Sequence, residues 1–214
     1  MGAKSTKDLE ILLEKAGSTP VPLVPTAITS AKPAVVTVAN TLADGDAVYC
    51  SNTGFAELDG KWFVLASVTA LEFSLLGSDT LATIDTLAGS PTMEAIERSD
   101  MIRLCLASLV LNVDEPGTIS VGTYCDTTAS IPSIVVPAGT ETLAGFVNIA
   151  DEDYQELLAA KEDGNERIQL VMLPDNGYLV APVTFSQIAW ELPLDGATGY
   201  TATAVLSTEM VHQF

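Results

Sequence analysis

Catalysis near neutral pH draws on histidines, thiolates or paired carboxylates, and this sequence is sparing with the first two. His212 is the only histidine and lies close to the C-terminal end, where a general base for a Ser–His–Asp or Cys–His site is hard to hold in place. Cys50, Cys105 and Cys125 are odd in number and widely spaced, so they form no CxxC metal or redox signature. They read as buried free thiols of a protein made in a reducing cytoplasm. The sequence has no Gly-x-Ser-x-Gly elbow, no GxxxxGK[ST] loop and no GxGxxG after a strand. Asp151, Glu152, Asp153, Glu156, Glu162, Asp163 and Glu166 are numerous enough for calcium. They lack the D-x-D-x-D-G spacing, and the first three suit the N-terminus of a helix, so a solvated helix face is expected. Asp44 and Asp46 flank Gly45, which fits turn chemistry better than a metal site. Carboxylates for glycoside hydrolysis would meet only in space, and two tryptophans and five tyrosines offer little aromatic lining for a sugar. No catalytic, cofactor-binding or metal-binding residue is expected, and no enzyme.

Charge narrows the partners. The chain carries 28 acidic and 9 basic residues, a net charge of −19. Duplex binding needs clustered Lys and Arg, and an anionic membrane surface is disfavoured for the same reason. Residues 1–17 contain Lys4, Lys7, Asp8, Glu10, Glu14 and Lys15 and no signal-peptide core. The run 101–113 is interrupted by Arg103 and is too short to span a bilayer. Only 17% of residues are charged while 48% are hydrophobic, so apolar surface and self-association are expected.

The elements that would carry these residues are mostly strands. Ser5 and Asp8 stand at capping-box spacing, Leu9, Leu12, Leu13 and Ala16 fall on one helical stripe, and Gly17 supplies a stop. This spacing predicts a short N-terminal helix. Pro20, Pro22, Pro25 and Pro33 then make an extended arm, so residues 1–33 form a helix on a proline-rich arm. Residues 34–90 read as a small β module, with turns at Asp44-Gly45-Asp46, Asn52-Thr53-Gly54 and Asp59-Gly60, ending in a long loop from Ser78 to Ser90. This module either stands alone or completes the domain that follows.

Residues 91–214 read as a β-sandwich or barrel. Met101–Val113 suits one buried strand, although its Leu, Cys and Ala residues also permit a helix. Asp151 caps a helix over about 151–163, with Tyr154, Leu157, Leu158 and Lys161 on one stripe and Gly164 at its end. Asn176-Gly177 favours a hairpin turn. Tyr178–Trp190 runs back as a long strand, with Pro182 placing its middle at an edge or bulge. The fold class is therefore mainly β.

Several stretches then match a known family. Gly117-Thr-Ile-Ser-Val-Gly-Thr-Tyr-Cys-Asp126, Asp151-Glu-Asp-Tyr-Gln-Glu-Leu157, Leu173-Pro-Asp-Asn-Gly-Tyr-Leu-Val-Ala-Pro-Val183 and Trp190-Glu-Leu-Pro-Leu-Asp-Gly-Ala197 resemble the major tail tube proteins of long, non-contractile tailed phages. Gly45-Asp-Ala-Val48 and Gly54-Phe-Ala-Glu-Leu-Asp-Gly-Lys-Trp-Phe63 resemble a small β module that recurs in phage structural proteins. The resemblance implies a β-sandwich or barrel with one flanking helix, six subunits to a ring, and stacked rings forming a hollow tube in the virion tail. It implies contacts with the tape measure, tail terminator and tail-tip proteins, and passage of genomic DNA without specific binding. It supplies no enzymatic residue. An acidic lumen is expected, because only Lys161 and Arg167 are basic after Arg103. Residues 5–33 are expected to bridge neighbouring rings. The alternative is a tail decoration or adhesin-type β module that binds a host-surface receptor or glycan.

Overall fold

The computed structural model describes residues 10–81, 86–112, 118–122, 128–132, 139–173, 177–191, 198–207 and 211–213. The strands in chain order begin with β1 (Glu10–Glu14), β2 (Val21–Leu23), β3 (Ala27–Ile28), β4 (Ala34–Thr37), β5 (Ala47–Ser51), β6 (Lys61–Ala66), β7 (Glu72–Leu75) and β8 (Thr92–Ile96). There follow β9 (Met101–Arg103), β10 (Leu106–Asn112), β11 (Thr118–Gly122), β12 (Thr128–Pro132) and β13 (Thr140–Phe146). Helix α1 (Glu152–Asp163) precedes β14 (Arg167–Met172), β15 (Tyr178–Glu191), β16 (Gly199–Leu206) and β17 (Val211–Gln213). The chain is mainly β, with two large antiparallel sheets packed as a sandwich and a single α-helix.

The larger sheet runs β10-β13-β16-β15-β14-β1-β9, with β17 added on β15. The smaller runs β2-β8-β5-β6-β7-β4-β3, and β11 and β12 form a separate hairpin. Residues 21–96 build the small sheet, and the large one is assembled from β1, β9, β10 and β13 to β17.

The predicted N-terminal helix is corrected over its second half. Glu10–Glu14 is a strand between β14 and β9, with Leu12 opposite both Leu170 and Arg103. Ile11, Leu12 and Leu13 are all buried while Ala16 is exposed. Three consecutive apolar residues serve a strand covered on both faces, and that burial outweighs the helical spacing. Ser5, Asp8 and Leu9 lie outside the described residues. The segment after Gly17 is extended, and β2 and β3 tie it into the small sheet of the same chain.

Met101–Val113 is not one strand. It breaks at Leu104 and Cys105 into β9 and β10, which occupy opposite ends of the sheet order. In a flat sheet, six spacings of about 4.8 Å would part those ends by nearly 30 Å. Two linking residues span only about 10 Å. The sheet must therefore curl until its ends almost meet, and the Leu104 N–H donates to Ile11 O at 2.8 Å as the chain crosses the gap.

Inside the curl lies a core that includes Leu13, Leu143, Leu157, Val183, Phe185 and Ala204. A second core, with Phe55, Phe63 and Phe73 at its centre, fills the small unit. The third joins them: Leu12, Leu170 and Val180 of the large sheet pack with Ala47, Val64 and Ile96 of the small one.

The hairpin predicted from Asn176-Gly177 is present, with Met172 opposite Tyr178 and the Leu173 N–H donating to Gly177 O; Pro174, Asp175 and Asn176 lie outside the described residues. Pro182 sits in the middle of a central strand, at neither an edge nor a bulge. Its carbonyl accepts the Ser207 N–H at 2.9 Å, so its nitrogen points the same way, towards the place where β15 changes neighbour from β16 to β17. No ladder donor is needed there. The bulge falls instead between Phe185 and Gln187.

Candidate functional site

One face of the large sheet is covered by the small unit only along β9, β1, β14 and the first half of β15. Beyond that cover, β10, β13, β16 and the second half of β15 present an open face. Register fixes its rows. Val110, Thr142, Thr203 and Gln187 stand side by side, as do Ser108, Ala144, Thr201 and Ala189. Thr140, Val205 and Thr184 form the row on one side, and Phe146, Gly199 and Glu191 the row on the other. Threonine suits a pleated, half-exposed surface. Glu191 is the only charged residue in these rows. Val110 and Phe146 are 50% and 66% exposed, and β10 has no strand on its outer side among the described residues.

Helix α1 packs on β15 and β9. Asp151 is extended at the N-cap, and Gly164 ends the helix at φ 63°. The buried residues are Tyr154, Leu157 and Ala160. Lys161, expected on that stripe, is exposed, and Ala160 takes the inward position. Tyr154 stacks at a tilt on Tyr200, 5.2 Å between ring centres, and its hydroxyl accepts the Trp190 indole N–H at 2.7 Å. Burial, with Asp153 nearby, pushes the Tyr200 phenol up to about 12.

The acidic run is more than a solvated face. The Asp151 side chain accepts from Asn148, and Asp153 accepts the Cys105 N–H, fixing the crossing between β9 and β10 to the helix. The buried Arg167 guanidinium binds Glu156 at 3.0 Å, Asp163, and the carbonyl of Glu14. Burial works against its charge, but the carboxylates of Asp163 and Glu156 hold its pKa above the usual value. Glu14 in turn accepts the Ile168 N–H and the Ser18 hydroxyl, and Glu156 accepts the Ala16 N–H. This network clamps the end of β1 to α1 and β14. Glu152, Glu162 and Glu166 remain exposed.

Asp44 and Asp46 act in turns. Asp44 accepts the Val68 N–H, and Asp46 accepts the N–H groups of Ala43 and Arg98. Among the described residues no three His, Cys, Asp or Glu side chains gather as a metal site, and no helix is long and apolar enough to cross a membrane. Cys50 is buried, and burial beside Asp59 pushes its thiol far up. Cys105 is exposed, which corrects the expectation of a buried thiol there. It sits at the strand crossing, where the chain leaves the core. Cys125 lies outside the described residues. His212 stands on β17 opposite Leu179.

Sequence reasoning missed a buried polar pair. Glu141 and Gln169 are both fully buried inside the barrel, and their side-chain oxygens and nitrogens lack hydrogen-bond partners of good geometry. Alternation along β13 and β14 would have flagged both positions as inward-facing, had the strand boundaries been known.

No protein-family model matches the sequence, and no curated protein matches it either. Among solved structures, the chain is similar to one from the "tail of empty GTA particle computed with helical refinement, C6 symmetry", at 15% identity and a TM-score of 0.43, over 54% of this chain and 87% of that one. It is also similar to a chain from the "virion of native gene transfer agent (GTA) particle", at 16% identity and a TM-score of 0.40, over 51% of this chain and 85% of that one.

Proposed function

We propose that this chain is a structural subunit of a phage-type tail tube, closing six to a ring and stacking ring on ring. The observation that carries the reading is the open four-stranded face of β10, β13, β16 and β15, on which Val110 and Phe146 stay exposed. Apolar side chains left bare on a sheet face mark a contact surface for another chain. A neighbouring subunit would cover them, and head-to-tail contacts of this kind close into rings or extend as filaments.

Turned towards a lumen, the open face is a wall of hydroxyls and methyls. It offers phosphate no cation to hold. Glu191 at its border and the net charge of −19 make the surroundings repulsive to DNA. Duplex would slide past without lodging, the property a conduit for DNA ejection needs. The role is non-enzymatic, the place is the virion tail, and the partners are further copies, the tape measure protein, the terminator and the tail tip.

Negative-stain electron microscopy of the purified chain over a range of concentrations tests this. Six-fold rings or hollow tubes are expected. Compact monomers or trimers at every concentration would overturn the self-assembling role and favour a decoration or adhesin module.

A further inference from the structure

A cleft of about 310 Å³ opens where the two sheets meet, lined by Tyr49, Trp62, Glu94, Glu166, Pro182 and Ser207. Junctions of this kind are common places for binding. Its floor is ordered by cross-strand pairing. Tyr49 on β5 stands directly between Trp62 on β6 and Glu94 on β8. The two rings lie 5.4 Å apart at 39°. Glu166, just before β14, closes the cleft from the barrel side. Among the described residues neither the Glu94 nor the Glu166 carboxylate has a hydrogen bond or ion pair, although the Glu94 backbone is held in the ladders with β2 and β5. An aromatic pair between two unpaired carboxylates suits a planar cation, which stacks on the ring and is held by charge at its rim.

The chain itself carries such a cation on the opposite flank. Arg98 and Arg167 have carboxylate partners. Lys15, Lys32 and Lys61 reach a carbonyl or a carboxylate. Arg103 and Lys161 alone among the described basic residues have no such partner. Lys161 is on α1, which packs against both β15 and β9, and of the two only Arg103 ends in a planar guanidinium. Arg103 is exposed on β9 at the edge of the large sheet, and β1 and β14 separate it from β15, where Pro182 borders the cleft. Cleft and cation thus lie on opposite flanks of the junction.

We propose that the cleft receives the Arg103 guanidinium of a second copy of this chain, stacked against Trp62 and paired with Glu94 and Glu166. The contact is heterologous, one flank of each subunit meeting the other flank of the next, and it repeats around a ring. It rests on the self-assembly reading and adds to it the residues that set the lateral contact. Copies at −19 repel one another, so a contact that pairs otherwise uncompensated carboxylates also relieves part of that repulsion.

Charge exchange tests the proposal by sedimentation velocity and electron microscopy. Arg103→Glu alone, and Glu94→Lys with Glu166→Lys alone, are each expected to weaken self-association at least about tenfold, because like charges face each other. The two variants mixed in equal amounts are expected to assemble again as alternating copies, since every cleft then meets an opposite charge. All these positions are exposed, and a matching circular dichroism melt confirms the fold of each. The milder pair Glu94→Gln and Glu166→Gln is expected to weaken association without reversing charge. Wild-type protein that assembles while Arg103→Glu assembles equally well, or a mixture that fails to recover, overturns the cleft contact and leaves the tube reading standing. Wild-type protein that never assembles overturns both.

Discussion

Glu141 of β13 and Gln169 of β14 face each other inside the barrel although β16 and β15 lie between their strands. In a flat sheet three spacings would separate those strands by about 14 Å. Their approach measures how tightly the sheet curls, and it leaves a carboxyl in an apolar interior with only a carboxamide for company.

Burial raises the Glu141 carboxyl from its ordinary 4.5 to about 7, and Gln169 only partly favours the charged form. The folded state therefore binds the proton more tightly than the unfolded chain. Its contribution to stability is full below about pH 4.5 and is lost as pH rises through 7. Glu141→Gln should remove this dependence. At pH 8 it should be more stable than wild type, by an amount on the order of 3 kcal/mol. Urea denaturation at pH 5, 6.5 and 8 checks this; equal pH profiles for the two proteins would refute it.

Arg167 holds Glu156, Asp163 and the Glu14 carbonyl together. Arg167→Met leaves Glu156 poorly solvated and unpaired, and should cost about 3 kcal/mol. Arg167→Lys should recover little, because one ammonium cannot serve three acceptors at the guanidinium's spacing. Hydrogen exchange should show β1 losing protection before the small unit does.

Gly54 has φ +88°, and a Cβ there would meet the Thr86 carbonyl oxygen at 2.3 Å and the Ala88 nitrogen at 2.8 Å. Both contacts are backbone, so neither can swing aside. Gly54→Ala should destabilise the small unit by about 2 kcal/mol or more. A thermal melt reads this directly, with Gly60→Ala as the comparison: that glycine has a similar φ but open space around it.

Thr142 and Thr203 stand side by side on the open face. Changing both to lysine puts like charges directly opposite each other and should cost about 1 kcal/mol, too little to unfold the barrel. Tubes formed from that variant should retain duplex DNA at low salt and release it at high salt, while wild-type tubes should not bind it. A filter-binding titration across salt decides the matter.

In a Cys125→Ser background, Ellman's reagent should label Cys105 quickly in the native state and Cys50 only after unfolding. The contrast follows from exposure at the strand crossing and burial in the small core.

Sequence made the fold class legible because turn residues and alternation are local. Helix α1, the β14–β15 hairpin and β4 to β7 of the small unit followed from such signals, whereas β2 and β3 lie in the stretch read as an arm and β8 lies past the expected end of the module. It misread elements whose state is set by distant partners. Ile11, Leu12 and Leu13 look helical until β14 and β9 cover them from both sides. Pro182 looks like an edge residue until the partner of β15 is seen to change beside it. The break at Leu104 and Cys105 has no turn chemistry at all, and only closure of the sheet requires it. The surfaces were hidden for the same reason. The open face draws on four strands, and the cleft on residues from Tyr49 to Ser207, so neither leaves a linear motif.

The hydrogen bond from the Lys15 N–H to Asp100 O continues the ladder that pairs Glu14 with Met101. Everything between those two points, the whole small unit, leaves and re-enters the barrel through adjacent positions of one antiparallel pair. It is inserted where a hairpin turn would otherwise stand. A short turn in place of residues 16–99 would join the same two strands, but it would bare Leu12, Leu170 and Val180, which the small unit covers. Any unit grafted there must bring an apolar face of its own to that side of the barrel, so the insertion is separable in chain path and not in packing.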